Sequence, residues 1–379
     1  MWLIKVSLLT IQQNPHLDLI KKKSKPLTNI HMKVLALLPF VFPLFLFAAH
    51  HDILHFPGHD NPEKSRTIVL VAGDEEYRSE ESMPMLAKIL SHKHGFECKV
   101  IFSWDKAGKY IDPNNQMGVR GWHHLKDADL MIIGTRFRQP NPGDTKHITQ
   151  FLNAGKPVIG IRTSTHAFTG SGSFGGKIPF GQFGPAIMGE GWVSHHGRHK
   201  IEGARGVVEP ANAAHPILSS VTDVFAPSDV YGINALTKQD TILMRGAVTE
   251  NLAPDSAFVD AKNDPMQPLA WLHPYTAPNG KKGTTFCTTM GSSVDLVSED
   301  LRRMIVNAAY FLTGRDVPKK ANVSYVDPFY PSFYGFIREK NYWKDMDMQP
   351  KDYGLGKSPT APDPKGTPKW EFRDFPSKK

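Results

Sequence analysis

The chain has 379 residues, 45 Lys+Arg against 37 Asp+Glu, 40% hydrophobic residues and a formal charge of +8. That length and mixture fit one large or two ordinary globular domains, and exclude a disordered acidic chain, a collagen and a coiled coil. Residues 1–49 hold six Lys and one acid, and residues 316–379 hold twelve bases against nine acids, which leaves residues 50–315 with 27 charges of each sign. The folded part therefore has no global excess of positive charge to track phosphates, and nucleic acid is not expected as a partner.

At the N-terminus, Met32-Lys33 precedes Val34–Phe47, an uncharged apolar run, and then Ala48-Ala49. A basic start, a short apolar stretch and small residues at its end read as a secretory signal peptide, with residues 1–31 as an upstream extension. The protein is expected to be periplasmic or secreted. The run is short for a transmembrane helix and is interrupted by Pro39 and Pro43, so no stable membrane span is expected after signal cleavage. An uncleaved anchor is the alternative, because Phe47 is a poor residue three positions before the cleavage point.

Thr67–Ala72 is a β-branched, apolar run ending at Gly73, as expected of a strand buried on both faces. Ser82–His94 carries apolar residues at helical spacing, and Cys98–Phe102 returns to strand. Leu130–Gly134, a helix across Thr145–Ala154 and Pro157–Ile161 continue the alternation, which predicts a mostly parallel sheet with helices on both faces. Thr241–Met244, Pro268–Trp271 and Gly283–Thr288 are further strand candidates, and Glu299–Leu312 is an amphipathic helix. The domain is read as residues 65–315. From 316 to 379, nine prolines and five tyrosines mark a Pro-rich, aromatic, partly disordered tail. Tyr325–Trp343 is aromatic enough to lie back on the domain, whereas no period survives from Gln349 onward.

In an open parallel sheet, ligands bind outside the carboxyl ends of the strands. The residues there are Asp74, Glu75, Glu76 and Arg78 after the first strand, Arg136 and Arg138 after the third, and Arg162, Ser164 and His166 after the fourth. Carboxylates, guanidiniums, a hydroxyl and an imidazole suit the gripping of a polyhydroxylated or anionic small molecule and the movement of protons. A second cluster, His195, His196 and His199, offers three imidazoles in a glycine-bounded segment. It reads first as an active-site edge and second as a set of metal ligands. HExxH is absent, so a zinc-protease frame is not supported. Gly170–Gly175 matches GxGxxG but runs into Lys177-Ile178-Pro179 and not into a helix, so it is read as a loop and not as a dinucleotide site. GxSxG and a Walker sequence are absent too. The two cysteines, Cys98 and Cys287, lie far apart in apolar settings and read as buried thiols, with a single disulfide as the alternative in an oxidising compartment.

Glu75–Glu81, Thr135–Arg138, Gly160–Phe168, His195-His196-Gly197, Asp229-Val230-Tyr231-Gly232 and Thr288–Gly291 together resemble the ThuA-like (trehalose-utilization) family, in particular its secreted branch from planctomycete-type bacteria. The resemblance covers roughly residues 65–315. It implies a flavodoxin-like three-layer α/β sandwich with a mostly parallel central sheet, of the class I glutamine-amidotransferase-like superfamily. It also brings Asp229 and Tyr231 into the candidate substrate-binding set. Amidotransferases of this fold place a nucleophilic Cys after a central strand. Here that turn reads Arg162-Thr163-Ser164-Thr165-His166, so glutamine hydrolysis is not expected.

The expected function is carbohydrate catabolism, a hydrolase or isomerase acting on a sugar or keto-sugar by proton transfer. His166 and one of His195 or His196 would be acid and base, with Glu75 or Glu76 as carboxylate partner. Asp74, Arg78, Arg136, Arg138, Arg162, Ser164, Asp229 and Tyr231 would hold substrate. One alternative is a non-catalytic sugar-binding or partner-docking protein. Another is a metal-dependent hydrolase in which His195, His196 and His199 hold a divalent ion such as Zn²⁺.

Overall fold

Seven consecutive residues, Thr67–Gly73, run as strand β2 with every position from Ile68 onward buried, as their unbroken apolar, β-branched sequence requires. The computed structural model describes residues 52–58 and 65–368. The signal peptide and upstream extension expected over 1–49 lie outside the described residues, as does the end of the tail from 369 to 379.

In chain order the elements are β1 (Ile53–Phe56), β2, helix α1 (Ser79–His94), β3 (Glu97–Phe102), β4 (Leu130–Thr135), α2 (Pro142–Asn153) and β5 (Val158–Ile161). They continue with β6 (Ala204–Val208), β7 (Phe225–Ala226), β8 (Thr241–Val248), β9 (Gln267–Thr276), β10 (Lys282–Thr288), α3 (Glu299–Leu312) and the short α4 (Tyr342–Met346). The strands form one sheet in the order β1-β3-β2-β4-β5-β10-β9-β8-β6-β7.

The inner strands β3-β2-β4-β5-β10 are parallel. Beyond them the sheet reverses: β10, β9, β8, β6 and β7 pair antiparallel, and β1 runs antiparallel to β3 at the other edge. The expectation of a mostly parallel sheet therefore holds for its inner strands and not for the whole. The reason is local: β9 and β10 are joined by a short turn across residues 277–281, and a connection that short can only link antiparallel strands.

Period-two alternation sorts the strand residues into two cores. Ile68, Leu70, Val100, Ile132 and Ile159 pack with α1 and α3 on one face. Val69, Val71, Ile101, Met131 and Ile133 pack with Ile148, Phe151 and Leu152 of α2 on the other. Each fully buried branched side chain contributes roughly 1.5–3 kcal/mol. Cys98 belongs to the first core and Cys287 to the second, both as free buried thiols, so the sheet stands between them and the disulfide alternative is not realised.

Two segments lie outside the domain bounds read from the sequence. β1, upstream of residue 65, completes the sheet edge. The tail follows the domain surface closely: Arg302 and Arg303 donate to the carbonyls of Val323 and Ala321, Lys88 pairs with Asp327 at 2.6 Å, and Phe333 and Tyr334 are fully buried. Glu81 accepts the N–H groups of Ser332 at 2.9 Å and of Ala361 at 3.0 Å. Past Gln349, where no period was visible, a 3-10 turn over Pro350–Tyr353 buries Tyr353 against Phe102, with ring centroids 5.4 Å apart. Among the described residues no helix is long and apolar enough to cross a membrane.

Candidate functional site

Strand order reverses at β2: the chain passes from β2 to β3 on one side and then to β4 on the other. Loops at such a switch point splay apart and leave a crevice. The β2 loop carries Asp74 to Arg78, the β4 loop Arg136 and Arg138, and β5 runs directly into a 3-10 turn, Arg162–His166.

Arg162 is the organising residue. It sits in the left-handed region at φ 48°, a conformation that costs free energy in a non-glycine residue, and it is buried. Its guanidinium donates to the Asp229 carbonyl at 2.7 Å, the Thr289 carbonyl at 2.8 Å, Asp229 Oδ1 at 2.9 Å and Tyr77 Oη at 3.2 Å. It also lies 3.9 Å from the Tyr231 ring centroid and 4.6 Å from that of Tyr77. Burial alone would weaken its charge, but the surrounding oxygens hold its pKa above the ordinary value.

Asp229 follows the edge strand β7 in a segment fixed by Ser228, which donates both its N–H and its hydroxyl to Asp295. Its buried carboxylate meets three cationic or proton-bearing partners: Arg162, His195 Nδ1 at 2.6 Å from Oδ2, and His199 Nδ1 at 3.1 Å from Oδ1. Burial would raise the Asp229 pKa, yet Arg162 and the two imidazoles push it well below the carboxylate range, so it is ionised and Nδ1 of each ring must be the donor. In the neutral rings Nε2 is therefore the lone-pair edge. The segment bearing them is no helix. His195 bridges Tyr231 as an isolated β-pair, and the turn that follows brings the two rings to 4.5 Å between centroids.

His199 Nε2 lies 3.6 Å from Glu76 Oε1. Burial, then the Asp74 charge, raise the Glu76 pKa to about 7 against the pull of Arg136 and Arg162. Arg136 reaches Glu76 at 3.3 Å and Glu75 at 2.5 Å. Burial lowers the His199 pKa, partly countered by Asp229. Near neutral pH the site thus pairs a carboxyl that can hold a proton with an imidazole that can take one.

The remaining sequence candidates fall elsewhere or play other parts. His166 lies in an aromatic shell, 4.9 Å from both Phe137 and Trp192 between centroids, and burial together with Arg136 lowers its pKa to about 3. It is neutral at neutral pH and cannot serve there as the acid. His196 turns away from the other two imidazoles, its Nε2 against the Lys262 carbonyl at 2.7 Å. Ser164 is buried and donates to the carbonyls of Ile133 and Ile161. Arg138 is spent on Glu75 and on the carbonyls of Arg136, Pro113 and Asn115. Arg78 caps α1 in the left-handed region and donates to the Gly335 carbonyl. Asp74 shapes its own loop, accepting the N–H groups of Glu76 and Tyr77 and the Thr163 hydroxyl. The Gly170–Gly175 segment enters a two-residue hairpin, Ser173–Phe174 with Ile178–Pro179.

Three site residues escaped the sequence reading. Tyr77 lies between the expected Glu76 and Arg78 and received no role. Trp192 packs on His166, His195 and Tyr231 from within the histidine segment. Tyr334 comes from the tail, stacks on Tyr77 at 5.1 Å and meets His199 edge-on at 5.2 Å. Only the aromatic character of Tyr325–Trp343 hinted at the last.

Fold and site together define an α/β protein with an ionisable cluster at the carboxyl ends of its inner strands. No family model matches the chain, and no curated protein does. It is similar to the solved structure of a protein described as ThuA-like from Bacteroides uniformis, at 13% identity over 68% of this chain and 94% of that one, with a TM-score of 0.43. A protein of the same description from Parabacteroides merdae gives 12%, 67%, 92% and 0.46. A cytoplasmic protein of Salmonella typhimurium gives 11%, 65%, 98% and 0.38. At these identities and TM-scores the likenesses carry no argument about this chain.

Proposed function

We propose that the chain is a ThuA-like protein of the secreted, planctomycete-type branch, with a flavodoxin-like three-layer, class I glutamine-amidotransferase-like fold. We propose further that it acts on a sugar or keto-sugar by proton transfer in the periplasm or outside the cell. The motifs behind the resemblance converge on Arg162: Tyr77, Asp229 and Thr289 touch it directly, and His195 reaches it through Asp229. The turn after β5 offers no thiol, and burial pushes the pKa of both cysteines up, so a cysteine nucleophile is not part of this reading.

The observation that carries the reading is the approach of His199 Nε2 to Glu76 while Asp229 holds Nδ1. Two titratable groups whose surroundings move them in opposite directions divide acid and base between them. Glu76 is the acid and His199 the base, with His195 beside it. The acid and base roles expected from sequence of His166 and one of His195 or His196 pass to this pair. Arg136, Arg162 and Tyr231 fix the geometry.

The test is a screen of oxidised and unoxidised disaccharides, followed by Glu76→Gln and His199→Ala on whichever is turned over. A loss of about 10²–10⁴-fold in turnover is expected for each. Unchanged turnover in either variant overturns the assignment.

One observation favours a second reading, a metal-dependent hydrolase. Donor atoms of His195, His199 and Asp229 lie within 4.8 Å of one another. Imidazoles that give Nδ1–H to a carboxylate and present Nε2 outward are a common arrangement for Zn²⁺ ligation, and such an ion would supply an activated water. Two imidazoles alone are fewer than the three protein ligands a catalytic Zn²⁺ takes, so Asp229 would be the third. Elemental analysis of untagged protein and of His199→Ala decides it: a stoichiometric ion lost in the variant puts this reading first.

A further inference from the structure

Beside the Glu76–His199 pair the tail forms a cleft of about 600 Å³, lined by Lys200, Phe336–Glu339 and Pro362–Lys365. Its size falls within the range of roughly 300–1,000 Å³ usual for small-ligand sites. It shares walls with the site. The Tyr334 ring that meets His199 also lies 5.7 Å from Lys200 Nζ, and Phe336 sits 5.1 Å from the Arg136 guanidinium, which pairs with Glu76.

The charges of this cleft are unbalanced in a specific way. Arg136 is committed to Glu75 and Glu76. Lys200, Arg338 and Lys365 have no carboxylate at ion-pairing distance among the described residues. Of the two acids in the lining, both exposed, Asp363 accepts the Phe333 N–H at 2.7 Å, and neither lies at ion-pairing distance from a cation among the described residues. Surface lysines are ordinarily free, but Lys200 is not ordinary. It is half-buried and held at φ 64°, and its ammonium is seated against Gly335, where an added Cβ would come within 2.7 Å of Nζ. Gly335 itself is at φ 146°, with its N–H on the Glu76 carbonyl at 2.7 Å, so one glycine positions both the acid's backbone and the cation. Backbone strain of this kind gathers where a side chain must be aimed. Phe336 in turn orders Arg338, whose guanidinium lies 5.5 Å from its ring centroid.

We propose that this cleft binds the anionic group of an acidic saccharide, carboxylated or sulfated, through Lys200 and Arg338, and presents the sugar to Glu76 and His199. The proposal rests on the sugar-chemistry reading above and names its substrate class. Glucose, the neutral comparator, offers the two cations hydroxyl acceptors but no counter-charge. A carboxylate or sulfate supplies the counter-charge, and a guanidinium can take either in bidentate fashion.

The test is calorimetric titration of the full chain with glucuronate, glucose 6-sulfate and glucose, in the wild type, in the double variant Lys200→Gln/Arg338→Gln, and in Lys200→Arg. Lys200 is half-buried and Arg338 exposed, and a thermal melt confirms folding. Glucuronate or the sulfate is expected to bind at least about tenfold more tightly than glucose. The double variant is expected to lose that margin and Lys200→Arg to keep it. Added salt is expected to erode it, as a structural role would not require. Which acidic probe binds better separates carboxylate from sulfate. Equal binding of all three sugars, no binding of either acid at ~10 mM, or a margin that survives the double variant overturns the proposal. Binding is read without turnover. A protein that binds glucuronate yet is indifferent to Glu76→Gln in catalysis would sink the proton-transfer reading and leave this one standing.

Discussion

Asp229 Oδ1 and Arg162 Nη2 stand 2.9 Å apart with their side chains essentially out of water, and both histidines of the site hang on the same carboxylate. Asp229→Asn removes the charge that Arg162 faces and leaves a buried guanidinium uncompensated. A loss of about 3–5 kcal/mol in unfolding free energy is expected, read by denaturant titration. The amide also cannot hold both imidazoles as Nδ1–H donors, so turnover should fall beyond what the folded fraction explains. A stability change within experimental error would show that the pair is not the keystone described.

Glu76 and His166 give stability opposite dependences on pH. Glu76 has its pKa raised in the fold, from 4.5 to about 7, so the unfolded chain releases that proton first and stability falls as pH rises through this window, by roughly 3 kcal/mol. His166 has its pKa lowered, from 6.5 to about 3, so its share is full above pH 6.5 and is lost as pH falls toward 3. Glu76→Gln should flatten the first slope and His166→Phe the second, measured as melting temperature against pH. Parallel profiles for wild type and either variant would contradict the burial that causes the shifts.

Tyr334 is fully buried against Tyr77 and His199. Tyr334→Ala should cost about 3 kcal/mol. Because burial is what lowers the His199 pKa, opening this wall should also raise it, as followed by NMR titration of the imidazole. An unmoved His199 titration would mean that the tail does not shield the site.

Gly184 supports the turn that carries His166. A Cβ there would meet the Thr165 carbonyl oxygen at 1.8 Å and that of Glu190 at 2.7 Å, both backbone, whereas Gly181 nearby faces open space. Gly184→Ala should destabilise by about 2 kcal/mol or more, and Gly181→Ala by little, compared by thermal melt.

The inner half of the fold was legible because its strands are buried on both faces and read as unbroken apolar runs; Thr67–Ala72 and Leu130–Gly134 could be little else. β6 was not, since Arg205 and Gly206 break the pattern of Ala204–Val208, and Gly206 is there because Met244 packs where a side chain would go. At the site, the loops after β2, β4 and β5 could be placed from topology alone. What sequence could not supply was direction. Arg162 and Ser164 stand two residues apart, yet the first turns to Asp229 and the second back to the Ile133 carbonyl. Tyr334 lies far from its partners in sequence and carried only an aromatic hint.

The C-terminal clasp also sets an order of events. Glu81 waits for Ser332 and Ala361, Glu76 for Gly335, and His199 for Tyr334. During synthesis the strands are made while the site is still missing a wall, and the wall arrives only once residues 332–361 have been made. A protein clipped near residue 330 would keep its inner strands and lose the Tyr334 wall beside His199.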